Sequence, residues 1–256
     1  MVHFVGAGSG APDLITVRGL KLLREADVVI YAGSLVNPEL LEETKSGCRI
    51  HNSAHMTLSE VIAVMEQAER EGKITVRLHT GDPSVYGAIR EQMDLLDERK
   101  IPYEVCPGVS SFCGAAASLK AELTLPEVSQ TVIITRMAGR TAVPERESFR
   151  SLAAHHATMA VFLSAGLLEE MEKELMAAGY EADTPAAIVY KATWPEEKKI
   201  LCTVSTLKES AEREGIKKTA MIFIGDVLGS RERNGYADSR LYAPDFTTEF
   251  RKGTDS

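Results

Sequence analysis

Long apolar segments are absent from this sequence of 256 residues. A membrane-spanning helix needs roughly 18 to 20 consecutive apolar residues, and no run of that length occurs. The first residues enter a predicted strand at Val2, with no basic stretch followed by an apolar one, so the pattern of a secretory signal is missing as well. The sequence therefore predicts a cytoplasmic protein with no membrane partner.

Positive charge is also scarce. Lys and Arg total 29 against 37 Asp and Glu, which gives a formal net charge of -8. Proteins that hold nucleic acid by its phosphate backbone present clustered Lys and Arg, so this balance argues against a nucleic-acid partner.

Cysteine is sparse, and the sequence contains no Cys-x-x-Cys pair. This pattern predicts neither a disulfide framework nor a zinc site. The cysteines are Cys48, Cys106, Cys113 and Cys202. His51 and His55 have a spacing that binds metal when both lie on one helix, but here they precede the predicted helix cap at Thr57. We expect no metal bound by the protein itself.

Predicted strands alternate with amphipathic helices along the whole chain, which is typical of α/β domains. The first series of strands comprises Val2 to Gly6, Asp27 to Tyr31, Lys73 to His79 and Tyr103 to Cys106. The second comprises Thr131 to Thr135, Thr158 to Leu163, Ala186 to Lys191, Ile200 to Val204 and Ala220 to Gly225. A polar, proline-bearing stretch at 121–130 separates them, so we expect two α/β domains of similar size, 1–122 and 123–256.

Capping residues mark some of the helix boundaries. Thr57-Leu58-Ser59-Glu60 has the spacing of a capping box, and apolar residues follow at helical spacing until Gly72 stops the run. Thr206-Leu207-Lys208-Glu209 has the same spacing and predicts a second box.

The polar stretch 230–256 carries more large apolar side chains than a solvated tail needs, so we expect it to dock on the body of the protein or on a partner subunit. These side chains are Tyr236, Leu241, Tyr242, Phe246 and Phe250.

Three turns of ligand-binding composition follow strands of the first domain. We name them the first turn (residues 6–12), the second turn (79–87) and the third turn (107–111). They are rich in Gly, Ser and Pro, and they stand where the carboxyl ends of α/β strands form a crevice for small molecules. The sequence therefore predicts a small-molecule site.

The first turn satisfies the Gly-x-Gly-x-x-Gly/Ala spacing of dinucleotide folds, with Ala11 in the last position. Such folds also need an acidic residue at the end of the second strand, whereas Asp27 stands at the start of this one. Pro12 further predicts a wide turn before the helix rather than a tight pyrophosphate grip. A nicotinamide cofactor is therefore disfavoured.

Asp82 in the second turn, taken alone, is more simply a helix cap than a ligand partner. Three such turns at successive strand ends, however, resemble the tetrapyrrole methyltransferase superfamily. The resemblance covers essentially the whole chain. It implies the tetrapyrrole methylase fold, an active site in the cleft between two α/β domains, and a homodimer.

Three longer stretches narrow the resemblance to the branch that methylates a ring carbon of a corrin precursor in cobalamin biosynthesis. They are residues 30–38, 135–145 and 190–197. The branch implies an enzyme that uses S-adenosyl-L-methionine, releases S-adenosyl-L-homocysteine and takes a tetrapyrrole as substrate.

The resemblance also implies cofactor contacts at positions that match the motifs of the superfamily. They are Ser9, Gly81, Asp82, Val85, Tyr86, Ser110, Ser111, Ser164, Ala192 and Ala220. The first turn departs from the pattern, since Ser9 stands where proline is usual and Ala11 where aspartate is usual. We therefore expect its backbone, rather than a carboxylate, to contribute.

Arg136 and Arg140 are predicted to grip the acetate and propionate groups of the substrate by forked hydrogen bonds, the alternative being a solvated, salt-bridged loop. Met137 is predicted to pack on the ring face or else to fill a gap in the core. The aspartate of the sirohaem branch has no equivalent within 31–36. Methyl transfer from a sulfonium depends mainly on positioning, so we nominate no residue as a catalytic base.

Two other functions remain open from sequence. A ribosomal RNA methyltransferase of the same superfamily would keep the cofactor site, but it would need a basic surface that the acidic balance disfavours. A non-catalytic sensor would bind S-adenosyl-L-methionine and transfer nothing.

Overall fold

The computed structural model describes residues 1–229 and 236–254, and these divide into two compact units. The first unit contains Met1–Ser118 and Lys191–Lys198. The second contains Leu119–Tyr190 and the described residues from Lys199 onward. The boundary after Ser118 comes four residues before the predicted one at 122, and the segment 191–198 belongs to the first unit although its chain neighbours do not.

The first unit is built on a five-stranded sheet in the order β3-β2-β4-β1-β5. Its strands are β1 (Val2–Gly6), β2 (Val28–Tyr31), β3 (Arg49–Asn52), β4 (Thr75–His79) and β5 (Tyr103–Cys106). Its helices are α1 (Val17–Glu25), α2 (Glu39–Glu42), α3 (Leu58–Arg70), α4 (Arg90–Glu98) and α5 (Ser111–Leu119).

Every strand pair of this sheet is parallel, so all strand carboxyl ends lie along one edge. Because β1 lies between β4 and β5, the three turns that follow these strands are neighbours. β1 and β4 are buried along their whole length, as strands covered by helices on both faces must be.

The boundaries of α3 follow the predicted signals, and the predicted wide turn before α1 is present. Thr57 caps α3 in a capping box with Glu60, and the apolar stripe that begins at Val61 is buried. A short 3-10 turn, Pro12–Leu14, separates the first turn from α1, which confirms the wide turn predicted from Pro12.

β3 is a short edge strand that pairs with β2 and was not predicted from the sequence. Its single apolar residue, Ile50, is 44% exposed, so no alternating pattern marks the strand. His51 lies on this strand and His55 in the 3-10 turn after it. Within residues 1–229 and 236–254, no three His, Cys, Asp or Glu side chains are grouped closely enough to hold a metal ion.

The second unit contains a mixed sheet in the order β6-β7-β10-β8-β9. Its strands are β6 (Val132–Arg136), β7 (Thr158–Phe162), β8 (Pro185–Tyr190), β9 (Lys198–Thr203) and β10 (Ala220–Ile224). Its helices are α6 (Phe149–Ala153), α7 (Leu168–Ala177) and α8 (Leu207–Arg213). β6 and β7 are parallel, whereas β10 runs antiparallel to both β7 and β8.

The predicted second capping box is wrong. The hydroxyl of Thr206 accepts the backbone N–H of Thr203 at 3.0 Å, one turn earlier, and forms the reciprocal bonds of a box with that residue. α8 therefore begins at Leu207 without a side-chain cap.

The C-terminal tail is folded on itself where the structure describes it. Arg251 donates to the carbonyl oxygens of Leu241 and Ala243 at 2.9 and 2.7 Å. Leu241, Tyr242 and Phe250 are 53%, 80% and 93% exposed, so these three side chains do not pack on the body of the protein. Docking of the tail on a partner subunit stays a prediction. Residues 230–235 and 255–256 of the predicted docking stretch lie outside the described residues. None of the described helices is both long and apolar enough to cross a membrane.

Candidate functional site

The three turns meet backbone to backbone at the carboxyl edge of the parallel sheet. A Cβ on Gly6 would lie 2.6 Å from the Cα of Gly108 and 2.6 Å from the carbonyl oxygen of Gly81. Gly8 and Gly81 exchange two backbone hydrogen bonds, at 3.3 and 2.8 Å. Only glycine permits so close an approach, and the predicted convergence of the three turns is confirmed.

Asp82 ties the second turn to the third. One carboxylate oxygen accepts the N–H of Gly108 at 2.8 Å, and the other accepts the N–H of Ser84 at 2.8 Å together with its hydroxyl. The helix-cap interpretation is wrong, since the next helix begins only at Arg90. Burial raises the pKa of Asp82, but the hydrogen bonds from Ser84 and Gly108 together outweigh this effect. The pKa of Asp82 is therefore below its ordinary value.

This tie predicts a pH dependence of stability. A depressed folded pKa contributes stability that is complete above the ordinary value of about 3.9 and is lost as the pH falls below it. Wild type should lose stability between about pH 5 and pH 2, and we expect this loss to be smaller in Asp82→Asn. Near neutrality the variant should be less stable than wild type by about 1 kcal/mol. Urea denaturation across this range measures both effects.

The matched control is Asp13→Asn, at an exposed aspartate just after the first turn. It should leave the acid dependence unchanged. A wild-type profile shared by both variants would contradict the role given to Asp82.

The backbone is strained near the end of the second turn and at the residue that follows it. Tyr86 and Ala88 have φ values of 55° and 50°, a left-handed conformation that residues with a side chain seldom adopt. Such strain persists only where the surroundings hold it, and it concentrates at binding sites. Tyr86 is 45% exposed.

A buried relay holds this strained turn to the sheet. Gln92 on α4 donates to the carbonyl oxygen of Ala88 at 2.9 Å and accepts from Arg77 on β4 at 3.2 Å. Arg77 also donates to the carbonyl oxygen of Ile30 at 3.1 Å. Arg77 and Gln92 are only 7% and 5% exposed, so the relay lies inside the first unit. Sequence reasoning missed both residues.

His79 is a core residue rather than a proton carrier. It is 4% exposed and packs near the ring of Phe4. Burial, with a smaller effect of the Arg77 charge, lowers the pKa of His79 to about 3, so its imidazole is neutral at pH 7. Its Nε2 has no hydrogen-bond partner among the described residues.

The predicted residues of the third turn lie against Gly81. A Cβ on Gly81 would lie 3.3 Å from the N of Ser111 and 3.6 Å from the Cα of Ser110. Ser110 is buried and Ser111 opens α5. The structure thus brings four predicted cofactor contacts together: Gly81, Asp82, Ser110 and Ser111.

The first turn is clamped by the segment 191–198. The hydroxyls of Ser9 and Thr193 lie 3.0 Å apart, and the N–H of Ala11 donates to the Thr193 hydroxyl at 3.0 Å. Asn37 donates to the carbonyl oxygen of Gly10 at 3.0 Å. The Ser9 hydroxyl is therefore hydrogen-bonded within the protein. The stretch 190–197 was marked in the sequence only by the family resemblance, and no local pattern predicted its contact with the first turn.

Two predicted residues of the second unit are structural neighbours. Ser164 is fully buried, accepts the N–H of Met137 at 2.9 Å and donates to the carbonyl oxygen of Phe162 at 2.7 Å. Met137 is 7% exposed and belongs to the core cluster of this unit, which favours the gap-filling alternative for its side chain. Ala220 opens β10 opposite Tyr190.

Arg136 and Arg140 have different environments. Arg136 donates to the carbonyl oxygens of Met137, Thr141 and Ala142 at 3.2, 3.1 and 2.7 Å, so it shapes its own loop. Arg140, on that loop, is exposed and has no hydrogen bond or ion pair with the rest of the described chain. Of the two, Arg140 offers the accessible guanidinium.

Comparison with known proteins shows to which family the chain belongs. Residues 1–208 match the tetrapyrrole (corrin/porphyrin) methylases. The chain is 54% identical over 251 residues to a cobalt-precorrin-4 C(11)-methyltransferase of Methanocaldococcus jannaschii, covering 98% of this chain and 96% of the relative. It is 49% identical over 255 residues to the protein of the same name from Priestia megaterium, covering 100% and 99%.

Solved structures agree with the sequence matches. A cobalt precorrin-4 methyltransferase, a cobalamin biosynthetic enzyme, superposes with a TM-score of 0.88 at 50% identity, over 90% of this chain and 96% of the other. A uroporphyrin-III C-methyl transferase from Thermus thermophilus, complexed with S-adenyl homocysteine, has a TM-score of 0.74 at 27% identity, over 89% and 93%. With its sheet-edge turns and these full-length matches, the chain belongs to the tetrapyrrole methylase family.

Proposed function

We propose that this protein transfers a methyl group from S-adenosyl-L-methionine to carbon 11 of precorrin-4 or cobalt-precorrin-4, giving the corresponding precorrin-5 in cobalamin biosynthesis. The observation that carries the proposal is the 54% identity, over 98% of the chain, to a relative of that activity. Relatives named for the cobalt-containing ring and for the cobalt-free ring match at 54% and 44% identity, so both rings are candidate substrates.

The residues of the first unit fit an S-adenosyl-L-methionine site. The glycines of the three turns let the turn backbones pack against one another where any Cβ would clash, and this packing fixes the sheet edge at which a small molecule would bind. We assign the cofactor to the predicted contacts of these turns, with Ala192 beside them. The contacts predicted in the second unit, Ser164 and Ala220, stay predictions. The related methyl transferase complexed with S-adenyl homocysteine supports the choice of cofactor.

The chain contributes positioning rather than proton transfer. When bound, S-adenosyl-L-methionine would supply an electrophilic methyl group, and the product left behind would be a neutral thioether, so the chain would need to stabilise little charge. Asp82 is committed to Gly108 and Ser84, and His79 is buried and neutral. The second turn therefore fixes geometry, which is the main requirement of an in-line transfer.

Methyl transfer is tested by mass spectrometry. The purified protein, incubated with S-adenosyl-L-methionine and either precorrin-4 or cobalt-precorrin-4, should add one methyl mass to at least one of them. Undermethylated ribosomal RNA serves as the competing substrate. Methylation of RNA alone would overturn the proposal, and cofactor binding with no transfer to any substrate would indicate a sensor.

Arg140 is proposed to bind a carboxylate of the substrate. We expect Arg140→Ala to raise the KM for the tetrapyrrole about five- to ten-fold with kcat nearly unchanged, because an exposed forked pair contributes binding and not chemistry. Steady-state kinetics with S-adenosyl-L-methionine at saturation measure this.

The matched control is Arg146→Ala, since Arg146 is an exposed arginine that faces Glu147 at 3.6 Å. An equal rise of KM in both variants would show a general charge effect and contradict the specific role of Arg140.

We also propose that the protein is a cytoplasmic homodimer. The family resemblance implies the dimer, and the exposed large apolar side chains of the second unit are candidates for the surface that a partner would cover. They are Ile134, Leu163, Leu201, Leu241, Tyr242 and Phe250. Sedimentation velocity should give twice the chain mass, and a monomer at micromolar concentration would contradict the proposal.

A further inference from the structure

The segment 191–198 is strained at the predicted cofactor contact. Lys191 and Thr193 have φ values of 45° and 67°, and Ala192 lies between them. A left-handed conformation is a genuine outlier for a β-branched residue such as Thr193. Strain of this kind needs partners that hold the backbone in place.

Glu197 holds this strained backbone in place through hydrogen bonds. Its Oε2 accepts the backbone N–H of Thr193 at 2.6 Å and the hydroxyl of Ser118, near the end of α5, at 2.5 Å. The Thr193 side chain in turn contacts Ser9 and accepts the N–H of Ala11. Hydrogen bonds therefore run without a break from α5 through Glu197 and Thr193 to the first turn.

The residues around this network are tightly packed. A Cβ on Gly114 of α5 would lie 2.5 Å from the Cβ of Ser9 and 3.4 Å from the Cγ2 of Thr193. A Cβ on Gly10 would meet the indole of Trp194 and lie 2.8 Å from the carbonyl oxygen of Ala192. A shift of the segment 191–198 would thus move the first turn as well.

We propose that Glu197 is a positioning residue for cofactor binding. Without touching the cofactor, it holds the Lys191–Thr193 backbone and the first turn in the one shape that accepts S-adenosyl-L-methionine. The inference rests on the proposed function. A carboxylate suits this role because a charged acceptor makes stronger hydrogen bonds to the two donors than a neutral one does.

The test is calorimetric titration with S-adenosyl-L-homocysteine. We expect Glu197→Ala to weaken binding about ten-fold, because two donors lose their acceptor, and Glu197→Gln to weaken it about three-fold, because a neutral acceptor remains. In kinetics the KM for S-adenosyl-L-methionine should rise by the same factors while kcat at saturation stays nearly constant.

The matched control is Glu196→Ala, one residue away. Glu196 is exposed and pairs only loosely with Lys191, at 3.5 Å, so its loss should change affinity by less than about two-fold. Thr193→Val provides an independent variant, since it removes the hydroxyl that holds Ala11, whereas Thr193→Ser keeps it. We expect Val to weaken binding and Ser to restore most of it.

The outcomes separate the inference from the proposed function. Wild-type affinity in folded Glu197→Ala or Glu197→Gln, even with a lowered Tm, would show a merely structural role and overturn the inference alone. Wild-type affinity in Thr193→Val would overturn it as well. A wild-type protein that binds no S-adenosyl-L-homocysteine would overturn the proposed function and, with it, this inference.

Discussion

Gly108→Ala is expected to abolish cofactor binding and to destabilise the first unit by about 3 kcal/mol or more. The new Cβ would overlap the carbonyl oxygen of Gly81 and lie 2.7 Å from the Cα of Gly6. Both obstacles are backbone atoms at the ends of paired strands, so no side-chain rotation relieves the overlap. Chemical denaturation gives the loss of stability, and calorimetric titration with S-adenosyl-L-homocysteine gives the loss of affinity.

Gly166→Ala is the matched control for this substitution. Its Cβ would lie 3.7 Å from the carbonyl oxygen of Lys217, which is an ordinary contact, and its φ lies outside the left-handed region. Stability should change by less than about 0.5 kcal/mol. If Gly108→Ala behaved like this control, the three turns would not be packed backbone to backbone.

Gln92→Leu is expected to cost about 2 to 3 kcal/mol of stability and to weaken cofactor binding through the second turn. The substitution removes an acceptor from buried Arg77 and a donor from the carbonyl oxygen of Ala88. Burial alone already lowers the pKa of Arg77 to about 10, so this charge has little solvent to replace the lost partner. Urea denaturation and titration with S-adenosyl-L-homocysteine measure the two effects.

Two variants control for the change of side chain at Gln92. Gln67→Leu makes the same substitution at an exposed position of α3, where Gln67 bonds only on the surface, and should be nearly neutral. Gln92→Glu keeps an acceptor for Arg77 and should recover part of the stability but not the hydrogen bond to Ala88. A Gln92→Leu protein as stable as Gln67→Leu would contradict the relay.

The sequence predicted the convergence of the three turns because local composition and sheet geometry combine in a simple way. The predicted strands matched β1, β4 and β5 within two residues of their observed bounds. Parallel strands bring their carboxyl ends to one edge, so the turns after them meet wherever the strands are neighbours. The resemblance to a family then added the cofactor and the reaction.

Other features had no local signal. β3 forms because β2 offers it a backbone partner, not because its own residues favour a strand. The antiparallel direction of β10 leaves no trace in hydrophobic periodicity, which is the same for both directions. For Asp82 the sequence suggested only a helix cap or a ligand contact. The hydrogen-bond partner that the structure shows, Gly108, is distant in sequence and so left no local pattern. Gln92, Thr193 and Glu197 likewise act through bonds to distant parts of the chain.

The membership of 191–198 in the first unit bears on the order in which the protein is made. A ribosome that has released only Met1–Ser118 has supplied the complete parallel sheet but not the residues that fasten Ser9 and Ala11. Domains tend to fold as they emerge, so the parallel sheet can assemble early. Its first turn nevertheless waits until β8 has been translated, and the nascent chain acquires a finished binding loop only late in synthesis.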